Sequence, residues 1–321
     1  MERVVAVTGA AGYIGSQILP WLEKDPAVEK IVSLDQRKPN LNLSKLVTYE
    51  VDVTKPFGEI FKKEGVTSAV HLVFMVNPHH SDALMKKINI GSAKEFFAAC
   101  EEAEVRREVV ISSTTAYGAH PQNPVPLTER SPLRGNEDYP YARDKAAVEL
   151  LCEDFRHRHP DHRLTVIRPC IVMGPHVDNF IARYMSKPRV FLIKGYDPSM
   201  QFIHEEDVGE MIYLLWRNGD NEAYNIGPDD ALTVSEIAEI FGARPIWLSP
   251  PVIYPLTQMA WMLRLRNFTE APASILNFIR YPWIASGKRA QRTAGYQYKH
   301  TSREAIVDTV KGMKARVSAK S

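Results

Sequence analysis

Tyr141 and Lys145 stand four residues apart in Tyr141-Ala142-Arg143-Asp144-Lys145, a spacing that stacks a phenol and an ammonium on one face of a helix. A free tyrosine titrates near ~10, too high for a base at neutral pH, and a neighbouring cation favours the phenolate. A hydroxyl partner is available in Ile111-Ser112-Ser113-Thr114-Thr115-Ala116-Tyr117-Gly118, at the end of a β-branched run. The third element is Thr8-Gly9-Ala10-Ala11-Gly12-Tyr13-Ile14-Gly15. Its glycines permit a tight turn and let a pyrophosphate approach the free N–H groups of a helix N-terminus. Asp35 ends the next apolar run, where a carboxylate accepts from adenosine ribose hydroxyls and repels a 2′-phosphate, favouring NAD. Arg37, two residues on, could pair with that phosphate, so NADP stays open. With a dinucleotide bound, an oxidised nicotinamide would add a second cation near the phenol.

Such groups need a scaffold, and the chain supplies one. Short β-branched runs at Val4–Val7, Ile31–Leu34, Val47–Val51, Ala69–Val73, Glu108–Ile111 and Leu164–Ile167 alternate with helical patterns at Ile14–Glu23, Ile60–Glu64, Met85–Glu104 and Tyr141–His157. Alternation of this kind predicts βαβ crossovers and a Rossmann-type, doubly wound parallel sheet in an α/β fold. The pattern turns irregular after Arg168-Pro169, so residues 1–169 are expected to bind the dinucleotide. Residues 170–321 are expected to form mainly a smaller α/β substrate domain, with about 200–216 returning to the first. The 321 residues, 45% hydrophobic and 24% charged, are enough for a substantial core. A net charge of +2 excludes a strong basic field for nucleic acid. Cys100, Cys152 and Cys170 make no C-x-x-C pair, which fits a reducing, cytoplasmic setting. The chain enters its first strand directly, without a signal-peptide apolar region. No apolar run reaches the ~18–20 residues that cross a bilayer.

Taken in order and spacing, these motifs resemble the extended short-chain dehydrogenase/reductases, specifically the NAD-dependent epimerase/dehydratase family. The resemblance extends over nearly the whole chain through Asp52-Val53, His71-Leu72, Asn89-x-Gly91, Pro126-Leu127-Thr128-Glu129, Arg168-Pro169, Gly174-Pro175, Phe202-Ile203-His204-Glu205-Glu206-Asp207-Val208 and Tyr224-Asn225-Ile226-Gly227. It implies that Ser113 polarises the substrate oxygen, that Tyr141 is the acid/base, and that Lys145 binds the nicotinamide ribose and lowers the tyrosine pKa. Around the cofactor it places Gly9, Ala11, Gly12, Tyr13, Ile14 and Gly15 at the pyrophosphate, and Asp35, Gln36 and Arg37 at the adenosine ribose. Asp52 and Val53 fall at the adenine, with Leu72, Val73, Asn89, Ser112, Pro169 and Ile171 completing the shell. The implied chemistry is hydride transfer between an alcohol or carbonyl carbon and nicotinamide C4, as in a nucleotide-sugar epimerase. A homodimer through the two longest helical patterns is implied by analogy.

Departures from the family pattern narrow this. The sugar-nucleotide dehydratases carry an Asp-Glu pair where Thr114 and Thr115 stand, which makes water elimination an unexpected reaction here. UDP-sugar epimerases carry an Asn and an Arg where this chain has Ile171 and Met200; Asn179, Arg183 or Lys187 could substitute from elsewhere. Phe74-Met75-Val76 after the fourth strand is apolar where sugar-acting relatives often have small or polar residues. The substrate-facing candidates are therefore Phe74, Thr114, Asn179, Arg183 and Gln201. A net dehydrogenase or reductase of a smaller or more apolar carbonyl is the close rival, and a non-catalytic dinucleotide sensor the reading from another class. No metal site is expected, since the adjacent His79 and His80 point apart. The aromatic stretch Pro250–Ile284, in which Arg264 and Arg266 interleave with apolar residues, reads as a substrate lid or core ahead of a membrane-surface helix.

Overall fold

The computed structural model describes residues 3–318. Its first half is β1 (Arg3–Thr8), α1 (Tyr13–Lys24), β2 (Val28–Asp35), β3 (Leu46–Glu50), α2 (Gly58–Glu64), β4 (Ser68–His71), α3 (Asp82–Lys86), α4 (Ser92–Glu102), β5 (Arg107–Ile111), α5 (Pro140–Arg158) and β6 (Arg163–Pro169). The second half continues with β7 (Ile171–Met173), α6 (Phe180–Met185), β8 (Arg189–Ile193), β9 (Ser199–Met200), β10 (Phe202–His204), α7 (Glu205–Asn218) and β11 (Ala223–Ile226). It ends with β12 (Leu232–Thr233), α8 (Val234–Phe241), β13 (Arg244–Leu248), α9 (Pro250–Met262), α10 (Lys288–Ala294) and α11 (Ser302–Ser318).

Seven parallel strands form one sheet in the order β11-β6-β5-β4-β1-β2-β3. The central strands are buried on both faces, as in the fully buried Val4–Val7 run, which is why they read as continuous apolar stretches rather than alternating ones. Helices α1, α7 and α10 cover one face, while α2, α4 and α5 cover the other. This is the Rossmann-type arrangement the alternation predicts. The chain leaves β1 toward β2 and then returns past it to β4, and at such a reversal a crevice opens beyond the carboxyl ends of the strands.

The segment that comes back to this sheet is longer than residues 200–216. Helix α7 packs on α1, β11 pairs with β6, and α10 packs on α7. The remaining elements build a smaller lobe from three two-stranded pieces, β10-β7, β12-β9 and β13-β8. Its core interlocks with Tyr117, Tyr139 and Ala142 from the α5 side of the sheet. Two local readings also differ from the structure. Strand β4 stops at His71 rather than Val73, as the chain peels away beside the glycine turn. The helical pattern Met85–Glu104 is split by a wide π-turn at Lys87–Gly91. There the Asn89 amide is pulled aside to accept from Met75 N (2.8 Å) and donate to Asp144 Oδ2 (3.0 Å), and such π-bulges gather at functional sites.

Candidate active site

Helix α1 begins at Gly12 with no side-chain cap, which leaves its first N–H groups directed into the crevice. Gly9 has φ +75°, and a Cβ there would stand 3.0 Å from Val73 N and Val73 Cγ2. A Cβ at Gly12 would stand 3.1 Å from Gly9 O, and one at Gly15 would stand 2.2 Å from Ala10 O. The turn is thus a backbone cradle that side chains would fill, the surface a pyrophosphate requires. Asp35 closes its edge: Oδ2 accepts from Ala11 N at 3.0 Å and Oδ1 from Arg37 N at 3.2 Å. Asp52, exposed, accepts from Thr54 N and Thr54 Oγ1, bonds that hold its carboxyl below the usual range. Val53 beside it is buried.

At the next strand end, Ser113 is in extended backbone; its Oγ accepts from Thr115 N (3.2 Å) and lies 3.4 Å from Pro169 O. Bonds this long leave the hydroxyl free to turn toward a ligand. Tyr141 packs edge-on to Phe74, with ring centroids 5.2 Å apart. The protein around its phenol excludes water and pushes its pKa up, while hydroxyls of Ser113 and Thr115 pull it back down. Thr115 Oγ1 is buried beside the phenol and makes no well-aligned hydrogen bond among the described residues. It is a polar group of the site that the sequence reading had placed only as a missing acid.

Lys145 is buried, its Nζ donating to Ile111 O at 2.8 Å and resting 3.7 Å from the Phe74 ring centre. Loss of water pushes its pKa down to about 7, against the pull of the Glu149 carboxylate. Without a cofactor, Lys145 is turned toward the strand rather than toward the phenol. Nζ sits 6.0 Å from the tyrosine ring and is held by a backbone carbonyl, so the phenol feels its two hydroxyl neighbours instead.

Behind these residues lies a buried network that sequence reasoning missed. Glu149, one turn beyond Lys145, takes Arg168 Nε at 2.9 Å through each oxygen and Arg168 Nη2 at 2.5 Å through Oε2. Ser112 Oγ donates to the same carboxylate at 2.5 Å, and Arg168 Nη1 donates to Tyr117 Oη at 2.7 Å. One carboxylate thus fastens β5, α5 and β6 together behind Ser113, Lys145 and Pro169. A carboxylate four residues after Lys145 was the available signal.

These elements enclose a cavity of about 380 Å³. Of the expected site residues, Gly9, Gly12, Tyr13, Ile14, Gly15, Leu72, Phe74, Ser112, Ser113, Tyr141, Lys145, Pro169, Ile171 and Asn179 line it. Several others do not. Asn89 braces the backbone as described. Thr114 is buried, and its Oγ1 has no hydrogen-bond partner among the described residues. Gln201 spends its amide on Ala285 N, Ala285 O and Pro228 O, joining two loops. Arg183 pairs with Asp178 (2.6 Å) and Glu270 (2.8 Å). Farther off, His204, Glu206 and His300 have potential ligand atoms within 4.8 Å of one another. His204 Nδ1 accepts the Glu206 N–H at 3.3 Å as a helix cap. No described helix is long and apolar enough to cross a membrane.

Comparison with known proteins bears on the family and the fold. The model of the NAD-dependent epimerase/dehydratase family matches residues 5–227. An uncharacterised protein of Mycobacterium tuberculosis is 27% identical over 318 residues, covering 97% of this chain and 84% of that protein. A UDP-glucose 4-epimerase of Yersinia enterocolitica is 26% identical over 265 residues, covering 73% of this chain and 71% of the relative. Among solved structures, the UDP-glucose 4-epimerase of Thermotoga maritima with UDP-glucose superposes with a TM-score of 0.77 at 19% identity, covering 98% of this chain and 99% of that one.

Proposed function

The chain belongs to the NAD-dependent epimerase/dehydratase family, and from that premise we propose that it interconverts a secondary alcohol and its carbonyl by hydride transfer, with Tyr141 as acid/base. Bound against the glycine cradle, NAD supplies the hydride acceptor and, once reduced, the donor. The chain's own residues do the rest. The bare backbone of Gly9, Gly12 and Gly15 and the uncapped start of α1 receive the pyrophosphate, and Asp35 receives the adenosine ribose. Lys145 Nζ would hold the nicotinamide ribose in place of Ile111 O. Ser113 Oγ donates to the substrate oxygen while the Tyr141 oxygen takes or returns its proton, with Thr115 Oγ1 as a second hydroxyl that supports the phenolate.

The observation that carries this reading is the meeting of Ser113, Tyr141 and Lys145 with the glycine turn in one cavity. Epimerisation of a nucleotide sugar is the version the relatives' names support. Water elimination is disfavoured because Thr114 and Thr115 offer no carboxyl acid or base. Net dehydrogenation or reduction is the second reading, favoured by Ile171 and Met200 on the cavity wall. A homodimer joining α4 and α5 across the interface is part of the same proposal; Leu150 on α5 is 68% exposed. Tyr141→Phe tests the catalytic assignment. Turnover should fall by about 10²–10⁴-fold with NAD affinity retained, whereas unchanged turnover would remove Tyr141 from the chemistry.

A further inference from the structure

The cavity continues past Tyr141 into the smaller lobe, and we propose that this outer part receives an uncharged lipophilic group, so that the substrate is an apolar secondary alcohol or the matching ketone. The proposal rests on the hydride-transfer reading and names the substrate class for the same site. The outer wall is formed by Phe180, Tyr184, Phe191, Phe268, Ile275 and Phe278, drawn from α6, β8 and the segment after α9. Phe191 and Phe268 stack at 5.0 Å, making one continuous aromatic surface.

The charges on that wall argue against an anionic ligand. Its carboxylates are Asp178 and Glu270, and the adjoining Arg183 guanidinium already donates to both. The cation that does line the outer wall is Lys187, whose Nζ donates to Asn267 O and whose charge is disfavoured by burial. A diphosphate brought against this aromatic wall would lose water with Lys187 as the outer wall's cation, since Arg189, Arg244 and Arg266 line a neighbouring groove rather than this wall. An apolar group loses nothing and covers aromatic surface.

In the oxidising direction the carbinol C–H bond breaks and its electron pair passes as hydride to NAD⁺, the O–H proton passes to the Tyr141 phenolate, and the C=O bond forms. The alcohol is oxidised to the ketone and NAD⁺ is reduced to NADH. In the reducing direction each transfer reverses.

The test is calorimetric titration of the NADH-loaded protein with cyclohexanone, acetophenone, menthone and UDP-glucose, with NADH consumption followed separately. Affinity should rise with apolar size, menthone exceeding cyclohexanone by about tenfold or more, and UDP-glucose should not compete. Phe268→Ala should weaken menthone by about tenfold and leave NAD affinity unchanged, which also reports that the variant is folded; Phe180→Ala repeats the test from α6. Tight UDP-glucose binding, with ketones neither binding nor competing, would overturn the proposal. Ketones that bind in order of apolar size but never consume NADH would support the apolar pocket and refute hydride transfer, so the two failures are distinguishable.

Discussion

Replacing Glu149 by leucine removes the carboxylate that, among the described residues, pairs with a guanidinium almost sealed from solvent: the side chains of Arg168 and Glu149 are 4% and 2% exposed. Breaking one side of such a pair strands the other charge and costs about 3–5 kcal/mol, whereas replacing both by apolar residues is often neutral or stabilising. Glu149→Leu also deprives Ser112 Oγ of its acceptor, about 1 kcal/mol more. Tyr117 keeps a partner in Asn225 Oδ1 at 2.7 Å. The single variant should therefore lose about 4–6 kcal/mol by these contributions. Arg168→Met alone strands the carboxylate at a similar cost, and combining it with Glu149→Leu should recover most of the loss, giving a coupling energy of about 5 kcal/mol or more in a double-mutant cycle. Urea unfolding of the four proteins measures it. Additive losses, with a coupling below about 0.5 kcal/mol, would refute the idea that this pair pins the three elements. Because Ser112 adjoins Ser113, the double variant should fold yet turn over more slowly, with the larger effect on kcat.

Two further outcomes follow from the same geometry. Gly15→Ala places a Cβ 2.2 Å from Ala10 O, so α1 must shift; a stability loss of about 1–3 kcal/mol with weakened NAD binding is expected in unfolding and titration assays, and unaltered affinity would count against the cradle. Burial lowers Lys145 from 10.5 to about 7, so between those pH values the unfolded chain holds a proton that the cofactor-free fold does not. Stability from this residue then rises with pH across that window and levels off above it. Relative to Lys145→Met, the wild type should gain about 1.4 kcal/mol per pH unit, and parallel stability curves would contradict the shift.

What was legible in the sequence was whatever repeats locally. Buried parallel strands declare themselves as unbroken β-branched runs, and the glycine spacing encodes a backbone contact that any side chain would block. Tyr141 and Lys145 share a face because a helix makes i and i+4 neighbours. Long-range pairings were not legible. Gln201 looked free until Ala285 was folded against it, and Arg183 looked like a spare cation until Asp178 and Glu270 were brought beside it. The Arg168–Glu149 bond joins a strand to a helix nineteen residues earlier. The apolar run around Phe74 hinted at the cavity's character, but the aromatic wall is drawn from α6, β8 and the stretch after α9, which no local pattern connects.

The central claim is that this site moves hydride under the control of Tyr141. Its most direct test is isotopic: incubate the protein with NADH deuterated at C4 and with ketones of both classes, sugar-derived and lipophilic, then locate the label by mass spectrometry. Deuterium should appear on the carbinol carbon of one class with the wild type and be nearly absent with Tyr141→Phe. Label that never leaves the cofactor, in a protein that binds both NADH and ketone, would contradict the account.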